Sequence, residues 1–292
     1  MATMPQPAPV ELIPAEPQRL WGTPAVANFF LGGLGAGLYI AAALAARFGP
    51  SPSVRIASWL GPALVLAGFA AVATESGRPM RGARVLWRVR TSWMSRELWL
   101  GGAFVLLVAA DLVFPLSLHR VQASVAAALL ALAQGFIVRR SRGVTAWDVP
   151  VMPVVFLASA LVSGAGLYFM IELSLGRLPE AVVLPAVVGL LAAGLVVWLR
   201  YLAWSGEPAF LEAVRALRDA RAARLIIGGG YLAPIALVVL ARVVPAAAGP
   251  ALYLAGALML AGQLYAKTLV ILKAGMLRPI TLGALRLDRR LP

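Results

Sequence analysis

Eight apolar stretches, each long enough to cross a lipid bilayer as a helix, run through this chain of 292 residues. Backbone N–H and C=O groups find no partner in hydrocarbon, so an apolar run of about 20 residues there must close its hydrogen bonds internally as a helix. The stretches read as Ala25 to Ala46, Val54 to Ala73, Leu98 to Phe114, Val121 to Val138, Val149 to Ile171, Val182 to Leu202, Ile226 to Val244 and Ala251 to Leu272. Pro24, Pro150, Pro185 and Pro250 fall near first turns, and Gly49, Gly77, Gly143 and Gly176 follow last turns, as helix punctuation requires. The expected fold class is an all-α integral membrane protein of eight transmembrane helices. Short hairpins between them suit two antiparallel four-helix bundles side by side, an architecture that places cofactor pockets between facing helices.

A mean hydropathy of +0.86 makes lipid the solvent for most side chains. Within that setting the chain has one histidine and no cysteine. A single histidine cannot ligate a pair of b-type haems, and without cysteine there is neither an iron-sulfur cluster nor a thiolate metal site. Electrons crossing this chain would need a carrier that the chain borrows.

The net charge of +14 raises nucleic acid as a partner, but its distribution points to the membrane. Arg78, Arg81, Arg84, Arg88, Arg90 and Arg96 lie between spans two and three, and Arg139, Arg140 and Arg142 between four and five. Arg200, Arg215, Arg218, Arg221 and Arg224 lie between six and seven, with Lys273, Arg278, Arg286, Arg289 and Arg290 after span eight. The alternate face has only Arg47, Arg55, Arg120, Arg177 and Arg242. The positive-inside rule therefore puts both termini and the basic loops in the cytoplasm. Insertion signalling and contact with anionic lipid account for most of this charge. Residues 1–20, rich in proline and without an apolar core, read as a cytoplasmic tail rather than a signal peptide: a disordered leader or an arm along a partner. Residues 21–278 form one transmembrane domain, and residues 279–292 a basic cytoplasmic tail.

Two segments stand out for chemistry. In span one, Asn28-Phe29-Phe30-Leu31-Gly32-Gly33-Leu34-Gly35-Ala36-Gly37 crowds four glycines into six positions. No strand precedes it, so it is not a phosphate-binding loop. One reading is a small-xxx-small ridge, Gly33 to Gly37, for close helix packing. The other is a slot, left by missing side chains at Gly32, Gly33 and Gly37, wide enough for a flat ring, with the Asn28 amide beside it. The second segment, Arg90-Thr91-Ser92-Trp93-Met94-Ser95-Arg96-Glu97-Leu98-Trp99, opens span three. Ser95 can cap that helix and Glu97 suits its first turn, while Trp93 and Trp99 suit the interface. The same residues also gather donors and a proton acceptor.

Ionisable groups in or beside the spans are few: Glu75, Asp111, Asp148, Glu172 and Lys267. Such groups in lipid invite a functional reading because burying a charge there is costly. Asp111 and Glu172 at outer helix ends read as solvated caps, Lys267 as a snorkelling side chain, and His119 as a solvated loop residue. Gln134 and Gln263 suit interhelical hydrogen bonds. By the charge topology, Asn28, Glu75, Ser95, Arg96, Glu97, Gln134, Asp148 and Lys267 share the cytoplasmic ends of their helices. Apolar walls with a few inward polar groups make a small-molecule site. A quinone suits it, since its tail needs lipid, its carbonyls need donors and its reduction needs protons.

The segments Trp21 through Tyr39, Gly77-Arg78-Pro79 and Arg90 through Glu97 resemble the membrane-anchor, quinone-binding subunits of molybdopterin oxidoreductases. These are the polysulfide reductase (NrfD-like) and dimethyl sulfoxide reductase anchors. The resemblance implies a haem-free eight-helix subunit of a respiratory chain that binds menaquinone or ubiquinone. It also implies an iron-sulfur, ferredoxin-like partner wired to a molybdenum or tungsten bis-pterin catalytic subunit. The polysulfide reductase branch uses a histidine of the first helix; here Asn28 is the nearest polar group, and Ser95-Arg96-Glu97 is closer to the dimethyl sulfoxide reductase branch.

The expected function is thus electron exchange between a partner's cluster and membrane quinone. Asn28 and Arg96 are the expected donors to quinone oxygens and Glu97 the proton relay. Gly32, Gly33 and Gly37 form the slot, with Ser95, Gln134 and Lys267 nearby. The alternative is a small-solute transporter or channel, for which Gly228-Gly229-Gly230 before Pro234 is the hint of a broken helix. A third reading is a membrane-embedded lipid-modifying enzyme.

Overall fold

In the computed structural model, residues 11–48, 52–75 and 83–281 are described. Residues 1–10 of the proline-rich tail, Gly49, Gly77-Arg78-Pro79, Arg81 and the basic tail with Arg286, Arg289 and Arg290 lie outside them, as do the side chains of Glu75 and Arg84.

A short strand β1 (Glu11–Ile13) leads into α1 (Thr23–Ala45), α2 (Ser53–Glu75), the single turn α3 (Ala83–Leu86), α4 (Trp93–Val113), α5 (Ser117–Arg140), α6 (Met152–Ser174) and α7 (Val183–Leu202). Three short helices, α8 (Pro208–Ala213), α9 (Arg215–Arg218) and α10 (Ala220–Ala223), run into a π-helical stretch, Arg224–Leu232, that continues as α11 (Ala233–Val243). Finally α12 (Ala248–Thr268) ends in a second π-helical turn, Leu269–Lys273, before strand β2 (Ile280–Thr281). Seven of these helical stretches are long and apolar enough to cross a membrane. Helix α4 has comparable length at 21 residues but carries Arg96, Glu97 and Asp111. Large apolar side chains such as Trp59, Leu106, Val196 and Leu254 lie exposed along the helices, a surface that suits lipid and not water.

Helix α1 is the axis of the molecule. Its apolar window is 83% buried inside the protein, against 28% for α2 and α7. It packs against α2, α5 and α6, while α6 in turn packs against α5, α7 and α12. Glycines set these crossings. A Cβ on Gly37 would meet the backbone of Ala160 and Gly164 in α6, and a Cβ on Gly61 of α2 would sit 2.9 Å from the Gly35 carbonyl. A Cβ on Gly166 would lie 2.8 Å from the Gly256 carbonyl of α12, and one on Gly230 would lie 3.1 Å from Gly262 Cα. Each pairing lets two backbones meet where dispersion, rather than the hydrophobic effect, holds helices together in lipid.

Four expectations need correction. The N-terminal arm is not a leader along its whole length: β1 pairs antiparallel with β2, Pro17 bridges Met276, and Leu277 N–H donates to Glu16 O at 2.7 Å. Asp111 and Glu172 are not solvated caps but buried. Tyr39 Oη donates to Asp111 Oδ2 at 3.2 Å and Arg120 Nε lies 3.4 Å from it, while Arg177 Nε lies 3.3 Å from Glu172 Oε2. Arg120, in the first turn of α5, and Arg177, after α6, reach these carboxylates because a carboxylate cannot be left unpaired in an apolar setting. Ser95 does not cap α4; Ser92 does, accepting from Ser95 N–H at 3.4 Å. The Gly228-Gly229-Gly230 segment is wound as a π-helix, not broken.

Candidate functional site

The polar residues gather around the first two turns of α1. Asn28 is the sixth residue of α1, and Glu97 the fifth of α4. Both lie roughly 6–8 Å along the axis from their helix starts at about 1.5 Å per residue. Gln134 near the end of α5 and Lys267 near the end of α12 reach the same level. Asn28 is 2% exposed, Glu97 5%, Gln134 0% and Lys267 3%.

Glu97 Oε1 accepts from Asn28 Nδ2 at 3.0 Å and from Gln134 Nε2 at 3.1 Å. Gln134 Nε2 also reaches Asn28 O at 3.3 Å. On the other side of α1, Lys267 Nζ donates to Phe29 O at 2.9 Å and stands 5.5 Å from the Phe156 ring centroid and 5.9 Å from that of Phe30. Aromatic faces attract an ammonium by their quadrupole. Lys267 therefore does not snorkel, correcting the expectation. Among the described residues, no carboxylate lies within ion-pair distance of Lys267 and no basic group within that distance of Glu97.

The glycines explain how two side chains reach carbonyls already inside a helix. In an α-helix the Cβ of residue i+4 stands over the carbonyl side of residue i. At Gly32 that position is taken by Gln134 Nε2, and at Gly33 a Cβ would lie 2.9 Å from Lys267 Nζ. The room beside Gly32 and Gly33 is thus filled by the polar groups themselves, and Gly37 is closed by α6. A ring-wide slot along these glycines is not what the structure builds.

Ser95 and Arg96 hold a loop. Ser95 Oγ donates to Val85 O, Arg96 Nε to Val89 O at 2.9 Å, Arg96 Nη2 to Arg90 O at 2.9 Å, and Trp99 Nε1 to Leu86 O at 3.0 Å. The Arg96 guanidinium also covers the Trp93 ring at 4.3 Å, and Trp93 stacks on Phe136. These contacts lace α3 and the segment after it to the start of α4 and leave Glu97 as the residue that turns inward. Among the remaining groups, Asp148 pairs with Arg278 at 3.4 Å, and His119 Nδ1 meets Phe114 O at 3.0 Å, exposed. No cluster of three or more metal-ligating side chains occurs among the described residues.

A buried acid held by two amides, a buried ammonium across the same helix, and a membrane-spanning scaffold narrow the choice of family. The model of the family described as Polysulphide reductase, NrfD, matches residues 12–279. The chain belongs to the NrfD family. No curated protein matches the chain.

NrfD proteins are multi-pass membrane subunits of polysulfide and molybdoenzyme reductase complexes; they interact with quinone and associate with a catalytic oxidoreductase subunit. The transporter reading is not favoured by this membership. In this NrfD chain the sequence pointed to Asn28, Glu97, Gln134 and Lys267, and the structure brings all four to one helix segment. Ser159, Trp198 and Gln263, buried with polar atoms unpaired, were missed or read as packing. The sequence signal available for them was helical spacing, with Gln263 one turn before Lys267 on α12.

Proposed function

We propose that this chain is the haem-free membrane anchor of a molybdenum- or tungsten-pterin iron-sulfur oxidoreductase, exchanging electrons between a partner's cluster and membrane quinone. The observation that carries it is the buried Asn28, Glu97, Gln134 and Lys267 group around α1 in an NrfD-family chain. The reading takes α4 as an eighth span, since Glu97 is turned into that group, Asp111 is paired with Tyr39 and Arg120, and Arg96 lies in the first turn on the Val89 and Arg90 carbonyls. Helices α1, α2, α4 and α5 then form one four-helix bundle, α6, α7, α10–α11 and α12 the other, and α1 against α6 joins them. Both termini and the basic loops face the cytoplasm of the inner membrane.

The residues fit a quinone. Asn28 Oδ1 and Gln134 Oε1 are buried acceptors without a hydrogen-bond partner among the described residues, which suits a quinol hydroxyl, and Lys267 Nζ has donors beyond the one given to Phe29 O. A bound quinone supplies the two-electron, two-proton couple. Glu97 holds a proton at its carboxyl, oriented at Oε1 by Asn28 and Gln134. Lys267 fixes the charge on the far side of α1, and Gly32 and Gly33 admit these groups. Arg96 and Ser95 shape the entrance by holding residues 85–90.

The deciding experiment is purification from native membranes with partners attached, measuring iron, molybdenum or tungsten, and extractable quinone. Cluster iron, pterin metal and quinone in fixed ratio to this chain support the reading. A chain that purifies without any of them overturns it.

A further inference from the structure

On the α6, α7 and α12 side of Lys267, three buried polar atoms have no hydrogen-bond partner among the described residues: Ser159 Oγ, Trp198 Nε1 and Gln263 Nε2. Their side chains line one small cavity together with Tyr231 and Lys267. Ser159 is 4% exposed, Trp198 and Tyr231 3% each, and Gln263 1%. The remaining walls, Phe156 and Ala266 among them, are apolar. Buried polar groups in native proteins are almost always satisfied by protein or by water, and three orphans on residues that line one space call for a common occupant.

The chemistry of the wall defines that occupant. An indole N–H donates only, a carboxamide nitrogen donates only, and a hydroxyl does either. The occupant must therefore present acceptor lone pairs to Trp198 and Gln263, while Ser159 can either give it a hydrogen bond or take one. The room is about 10 Å3, close to the least that a single water needs. We propose that this cavity is an internal water site: one water accepts from Trp198 Nε1 and Gln263 Nε2, donates to Ser159 Oγ, and sits beside Lys267 as its hydrated neighbour. Lys267 is thereby flanked by water on the α6, α7 and α12 side of α1, apart from Glu97, which is held by Asn28 of α1 and Gln134 of α5. The π-helical winding of Arg224–Leu232 supplies Tyr231 to the wall, in keeping with the placement of such irregular turns at functional sites.

The test is X-ray hydroxyl-radical labelling of the full-length chain in lipid nanodiscs, read by mass spectrometry and normalised for intrinsic reactivity. A bound water generates the radical beside its neighbours, so Trp198 and Tyr231 are expected to be modified several-fold faster than the fully buried Phe104 and Phe169. Gln263→Leu removes a donor and should bring Trp198 down to the rate of those controls. Ser159→Ala, which deletes a single hydroxyl, should reduce labelling in the same direction and serves if the larger change prevents folding. Labelling of Trp198 and Tyr231 no faster than the controls overturns the proposal, as does labelling unchanged in both variants. The readout needs no quinone and no partner, so its failure leaves the electron-transfer reading standing.

Discussion

Glu97 is the residue on which the proposed chemistry turns. Its replacement by glutamine keeps the size and the contacts with Asn28 and Gln134 within reach while removing the titrating proton. Quinone turnover by the assembled complex should fall by about 100-fold or more, the usual worth of a positioned acid or base, with subunit stoichiometry on gel filtration unchanged. Normal turnover removes its proton role. Asn28→Leu takes one of the two amides from Glu97 and should weaken a quinone-site inhibitor about tenfold, which is about 1.4 kcal/mol; an unaltered inhibition constant moves the site elsewhere. Gly33→Val places a side chain where Lys267 Nζ stands, so it should act like a loss of Lys267, and Gly33→Val in a Lys267→Met background should cost little more. The sequence showed that these residues were polar in an apolar setting. It could not show that Gly32 and Gly33 serve as openings onto the Asn28 and Phe29 carbonyls, because that depends on which neighbouring helix faces each glycine.

Among the elements, the crossing of α1 with α6 is the most demanding. Gly37→Leu must push apart two backbones that touch, and overpacking of this kind costs about 1–3 kcal/mol; the melting temperature in detergent should drop, while Gly102→Leu, where nothing lies within 4 Å, should leave it unchanged. The small-xxx-small spacing made this contact legible in advance, and the helix boundaries were read to within a few residues because hydrocarbon allows little else. The start of α4 was misread. Ser95 and Ser92 are equally good caps on paper, and only the fold of residues 85–90 back onto α4 decides between them. That same fold gives Arg96 its work: Arg96→Ala should raise the rate of limited proteolysis between Val85 and Ser92 without altering inhibitor affinity. A changed affinity with an unchanged cleavage rate would return Arg96 to the quinone.

For the whole molecule, the segments before α1 and after α12, residues 11–22 and 274–281, behave as one unit. Gln18 Oε1 accepts from Leu20 and Trp21 N–H, its Nε2 donates to Trp21 O at 2.8 Å, Gln18 N–H donates to Gly275 O at 2.7 Å, and Trp21 stacks on Trp147. Arg278 N–H donates to Gly143 O at 2.7 Å, which ties the loop after α5 into the same assembly. Deleting residues 1–18 should therefore lower the melting temperature, as should Gln18→Ala to a smaller extent. Composition gave no sign of this, because proline-rich tails are indistinguishable in sequence whether they hang free or dock.

The pairing of β1 with β2 also imposes an order on biogenesis. Residues 11–13 leave the ribosome before any helix, yet their partners at 280–281 emerge only after α12, so this clasp cannot close during most of translation. The helices are therefore complete before the clasp can form, and a nascent chain stalled before residue 280 would lack the pairing that holds residues 11–13.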